Sequence, residues 1–104
     1  MIRGEIWLAQ VGRKSRPVLV LTRTEVLDVR MLVTVAEIST SIRGLAVEVP
    51  FDHGDAGIDT TSVVNCDGIH TVAQSSLTRR LGELSDPVMD RVCWSVAYAL
   101  GCSN

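Results

Sequence analysis

Close-spaced cysteine pairs, metal-ligand clusters and long apolar runs are all missing from this chain of 104 residues. Its three cysteines, Cys66, Cys93 and Cys102, are odd in number and lack CxxC spacing. That excludes a disulfide-stapled miniature and predicts three small buried hydrophobes in a reducing compartment. Neither His53 nor His70 supplies a ligand pair at zinc spacing, so no metal and no cofactor is expected. The longest apolar stretches, residues 17–21 and 31–36, are far shorter than the ~20 residues of a bilayer-spanning helix. No long apolar run follows the basic N-terminal cap, so we expect no secretory signal and a cytoplasmic protein without membrane contact. A Gly-rich phosphate loop, a GxSxG elbow and a telling carboxylate pair are also absent.

Lysine is scarce too. Nine of the ten basic residues are arginine, and Lys14 is the exception. Arginine suits bidentate phosphate contact and base stacking, whereas lysine is the commoner solubiliser. The formal charge of −2 hides an uneven distribution. Residues 1–43 carry a net +3, residues 44–78 a net −5, and the remainder balances. A local basic face on an acidic protein is compatible with nucleic-acid binding.

What is present is an ordinary globular composition, 46% hydrophobic and 21% charged, with enough chain for one core. Residues 1–104 therefore read as a single domain. Residues 5–11 form a short apolar segment closed by Gly12. Residues 16–22 are nearly continuous apolar and β-branched, the pattern of a strand buried on both faces. Further strands are expected at 30–38 and 45–49, with Pro50 ending the latter. A Gly- and Asp-rich loop spans 51–61. Residues 62–66 and 69–73 flank Asp67-Gly68, a dipeptide that predicts a two-residue hairpin turn. A last short strand covers 79–84. Asp86 is positioned to cap a helix with Pro87 at its first turn. Met89, Val92, Cys93, Val96, Ala97 and Leu100 then recur at helical spacing, and Gly101 fits the stop. Serial short strands followed by one helix predict a mainly β fold, a small curved antiparallel barrel with a C-terminal helix packed on it.

Few segments offer chemistry. Gly12-Arg13-Lys14-Ser15-Arg16 puts three cations in four positions, which must be exposed; it reads either as a solvated hairpin tip or as an anion-binding loop. Ser39-Thr40-Ser41 places three hydroxyls at a strand end, where such groups satisfy local backbone or serve a reaction. His70 alternates on a strand and is of the residue type that titrates near neutrality unaided. His53 reads as a loop residue, and Trp7 as core rather than a base-stacking platform.

An ordered set of segments then resembles the MazF/PemK (Kid-like) family of toxin endoribonucleases. These are Arg3-Gly4-Glu5-Ile6-Trp7, Arg16-Pro17-Val18-Leu19-Val20, Ile38-Ser39-Thr40-Ser41, the block from Gly57 to Asp67, Ile69-His70-Thr71-Val72 and Arg79-Arg80-Leu81-Gly82-Glu83-Leu84. Two departures stand out: the loop between the first two strands is short, and His70 with Ala73-Gln74 replaces the family's frequent Arg and Asp-Lys. The resemblance implies an SH3-like barrel and a homodimer. It implies metal-independent cleavage of single-stranded RNA by 2′-OH attack, leaving a cyclic phosphate and a 5′-OH, with DNA inert. Arg16 matches the family's catalytic arginine and Ser39 its catalytic hydroxyl, with Thr40 adjacent. Arg13, Lys14, Ser15, Arg43, His70 and Arg79 become RNA contacts, and an acidic, partly disordered antitoxin the partner. The rival is a noncatalytic CcdB-like gyrase-binding poison or antitoxin-binding module on the same barrel.

Overall fold

Two apolar faces on one sheet set the architecture. The computed structural model describes residues 1–102. Strands β1 (Glu5–Val11) and β2 (Lys14–Val20) precede a one-turn helix α1 (Thr24–Leu27). Strands β3 (Leu32–Ser39), β4 (Glu48–Pro50), β5 (Val63–Ala73) and β6 (Leu77–Glu83) follow, and helix α2 (Asp86–Ala99) ends the series. The six strands form one sheet in the order β4-β5-β3-β2-β1-β6, with every neighbouring pair antiparallel. No described helix is long and apolar enough to cross a membrane.

In β2, Val18, Leu19 and Val20 are all buried, as the unbroken apolar run predicts. Leu19 packs with Ile6, Ala36, Ile38, Val64 and the helix residues Met89 and Val92. Val18 and Val20 point the other way, into a second cluster with Ala9, Leu27, Val33, Val35 and Leu77. Trp7 packs against this second cluster, as expected of a core residue, and its indole N–H donates to Glu5. Strand β2 is thus clamped from both sides.

Several expectations are corrected. Asp67-Gly68 is not a hairpin turn: β5 runs unbroken through it, and the irregularity is a bulge opposite the Ala36–Glu37 step of β3. A side chain at position 68 would meet the Glu37 carboxylate, which would have to swing aside to admit it. Ser85 rather than Asp86 occupies the position before the helix, without a side-chain capping hydrogen bond, and Pro87 lies in the first turn. Cys66 is buried, but Cys93 is exposed because the helix buries a narrower stripe than its periodicity suggests, and Cys102 is exposed beyond the helix end. Leu100 is likewise exposed. Strand β4 is only three residues long, and Pro50 lies within it, tolerated on an edge strand.

The edges β4 and β6 are bridged by the loop leaving β4. Where it crosses β6, a Cβ on Gly82 would overlap the Ala56 carbonyl, and one on Gly57 (φ +77°) would overlap that of Leu81. Gly82→Ala is therefore expected to cost about 1–3 kcal/mol, the range for overpacking a tight contact. Urea unfolding checks this, and a midpoint equal to wild type would show that the crossing is looser than described.

Candidate active site

Beyond the last β2–β3 pair, Val18 with Glu37, the two strands are no longer bonded. Carrying the same antiparallel register two residues further sets Arg16 across from Ser39. Both line a cavity of about 440 Å³, together with Glu37, Thr40, Ser41 and Ile58, Asp59, Thr60 and Ser62 from the bridging loop. The guanidinium and the strand-end hydroxyls named from sequence therefore share one cleft. Ser39 Oγ accepts the Ser41 N–H at 3.1 Å, which fixes the oxygen and leaves the hydroxyl proton to donate elsewhere. Buried Ser62 donates to the Thr60 carbonyl and stiffens the far wall.

Arg16 and Glu37 also border a second depression of about 720 Å³. Its floor is Ala9, Val18, Val35 and Val72, and its rim includes Gln10, His70 and Ser76. His70 Nε2 lies 3.3 Å from Glu37 Oε1. Among the described residues no carboxylate pairs with Arg16, which leaves its fork free for an anion. Arg13, Lys14 and Ser15 stand exposed at the tip of the β1–β2 hairpin, where Ser15 donates to Gln10. Arg43 and Arg79 line neither cavity. Arg43 is tied to Glu48, and Arg79 faces solvent on the edge strand opposite Leu8.

The buried carboxylates are all accounted for. Glu48 binds the loop that carries the hydroxyls toward β4, accepting backbone N–H groups from Arg43 at 2.9 Å and Leu45 at 3.1 Å. The Leu45 N–H leads in holding this carboxyl below the ordinary glutamate value, burial opposes it, and Arg43 and Gly44 add to the lowering. For Glu5, burial works to raise the value, but Arg80, the Ile2 N–H and Trp7 outweigh it and the net shift is downward. Burial pushes the Cys66 thiol up to about 11, which makes it inert. Among the described residues, no group of three His, Cys, Asp or Glu side chains is placed to hold a metal ion.

Sequence reasoning passed over Glu37, although it lies two residues before Ser39 on the same strand face and so shares its cleft. The contribution of residues 58–62 had no local signal, because it depends on the glycine-packed crossing behind them.

Residues 2–100 match the family model described as PemK-like, MazF-like toxin of type II toxin-antitoxin system. The chain belongs to this family. It is 39% identical over 105 residues to a probable endoribonuclease, MazF5, of Mycobacterium tuberculosis, covering 98% of this chain and 94% of that protein. It is 47% identical over 79 residues to the endoribonuclease MazF3 of the same organism, covering 76% and 75% of the two chains. The solved structure of the Mycobacterium tuberculosis toxin MazF-mt6 superposes with a TM-score of 0.89 at 38% identity, covering 96% of this chain and 99% of that one.

The lowered Glu48 carboxyl carries a pH dependence. A group whose folded value is depressed stabilises fully above its unfolded value, and that contribution is lost as pH falls through the folded value. Stability should therefore decline from the ordinary glutamate range downward, and Glu48→Gln should flatten that decline while weakening the protein at pH 7. Denaturation midpoints between pH 7 and 3 check this; equal pH slopes for both proteins would remove Glu48 from the account.

Proposed function

We propose that this toxin-family member, as one domain over residues 1–104, is an endoribonuclease that cuts single-stranded RNA where Arg16 and the Ser39–Thr40 strand end meet. The observation that carries the reading is their shared 440 Å³ cleft beside an unpaired guanidinium. The ribose 2′-oxygen attacks the adjacent phosphorus and loses its proton. The P–O5′ bond breaks, leaving a 2′,3′-cyclic phosphate and a 5′-hydroxyl. Negative charge accumulates on the phosphoryl oxygens, and the Arg16 fork stabilises it. Ser39, oriented by the Ser41 N–H, donates its proton to the departing 5′-oxygen and regains one from water. Thr40 stands next in the cleft as a second phosphate-orienting hydroxyl.

Because the RNA carries its own nucleophile, the reaction requires neither a covalent enzyme intermediate nor a metal-activated water. A 2′-deoxy substrate lacks the attacking group, so DNA is not cut. Arg13, Lys14 and Ser15 approach the RNA backbone from the hairpin tip, and Arg43 and Arg79 contact it farther out. The working unit is a homodimer in the cytoplasm, and an acidic, partly disordered antitoxin segment neutralises it by covering Arg16 and the exposed hairpin cations beside the cleft. The Arg16–hydroxyl pairing and the family membership favour cleavage over the gyrase-binding alternative, which has no use for that pair.

Purified protein should cut single-stranded RNA in EDTA, releasing 5′-hydroxyl ends. Arg16→Ala should lower the rate by about 100-fold or more, the scale for losing one charge stabiliser, with the fold intact by circular dichroism. Cleavage only after adding divalent ions, or an unchanged Arg16→Ala rate, would contradict the mechanism. The cleavage efficiency should also fall steeply with added salt, as phosphate-dominated binding requires; a flat response between 50 and 200 mM would argue against the basic contacts.

A further inference from the structure

The second depression holds a charged pair that the cleavage scheme above leaves idle. Glu37 extends from β3 over Gly68 and meets His70 on β5 at 3.3 Å. The two sit on neighbouring strands, and the β5 bulge opposite the Ala36–Glu37 step sets their offset. Both side chains are about half exposed, 54% for His70 and 44% for Glu37. At that exposure an ion pair contributes little to stability. Its clearer effect is positional: the carboxylate stands against the Nε2 edge of the ring and leaves the Nδ1 edge uncovered by it.

Placement relative to the reacting groups matters as well. The phosphoryl displacement is in line, so the atom losing a proton and the atom gaining one lie on opposite sides of phosphorus. Arg16 borders both depressions, with the Ser39 hydroxyl in one and the imidazole in the other. The charged groups lining the His70 side are Glu37 from β3 and Arg16 from β2, while β1 and the turn before β6 add only Gln10 and Ser76.

Building on the cleavage reading, we infer that His70 is the general base that removes the 2′-OH proton and that Glu37 is its positioning residue. Nδ1 takes the proton as the 2′-oxygen bonds to phosphorus, the P–O5′ bond breaks, and the 5′-oxygen is protonated from Ser39. The imidazolium then returns its proton to water, and no oxidant or further reactant is involved.

Single-turnover cleavage of a short single-stranded RNA, at saturating protein and from pH 5 to 9, tests this. His70→Ala should lose about 100-fold or more in rate, lose the limb of the pH profile due to imidazole, and regain activity with added imidazole. Its affinity for a 2′-deoxy analogue of the same RNA should fall far less than its rate. Glu37→Gln should lower the rate without changing that affinity, and Glu37→Asp should recover part of the loss. A His70→Ala protein with wild-type rate and pH profile, or one that only binds RNA more weakly, would overturn the assignment while leaving RNA cleavage intact. Failure of the wild type to cut any RNA would instead bring down both readings.

Discussion

The register between β2 and β3 governs everything else in this molecule. Three pairs, Val18 with Glu37, Leu19 with Ala36 and Val20 with Val35, join two strands whose central residues are buried on both faces. A one-residue slip would turn each of these side chains to the wrong face and break both apolar clusters at once. The register is therefore rigid where it is bonded, and the unbonded strand ends just past it inherit that rigidity. Arg16 and Ser39 belong to those ends. Their mutual placement follows from core packing, the kind of preorganisation that the proposed cleavage requires.

Electrostatics completes the arrangement by exclusion. Glu5 is taken up by Arg80 and Trp7, Glu48 by the backbone of its loop and by Arg43, and Glu37 by His70. With these carboxylates engaged, a chain of net charge −2 still presents, among the described residues, a guanidinium without an ion-pair partner, in a cleft that also holds Asp59. The charge segregation visible along the sequence has this local meaning, although Arg43 and Arg79 lie outside the two depressions.

Some of this was legible in the residues alone. The unbroken run at Val18–Val20 announced a strand buried on both faces, and the helical recurrence of Met89, Val92 and Val96 announced the terminal helix. Asp67-Gly68 misled because the same dipeptide serves a tight turn or a bulge. The choice rests on β3, distant in sequence, which pairs with β5 on both sides of the bulge. Cys93 and Leu100 fit the helical period yet stay exposed, since periodicity gives the direction of a stripe and not its width. The basic loop ending at Arg16 and the hydroxyls from Ser39 stood out by residue type, and family resemblance singled out Arg16 and Ser39 within them. Glu37 had no such marker, and the loop residues entering the cleft depend on a crossing between distant backbones.

That crossing separates two duties within a few residues. Gly57 and Gly82 let the loop press backbone against backbone on β6, while Ile58, Asp59 and Thr60 just beyond form one wall of the cleft. The anchor constrains main-chain shape and Ile58 packs on the core, but Asp59 and Thr60 are exposed. Those two positions can therefore exchange charge and size along one wall of the cleft while the barrel behind them stays undisturbed.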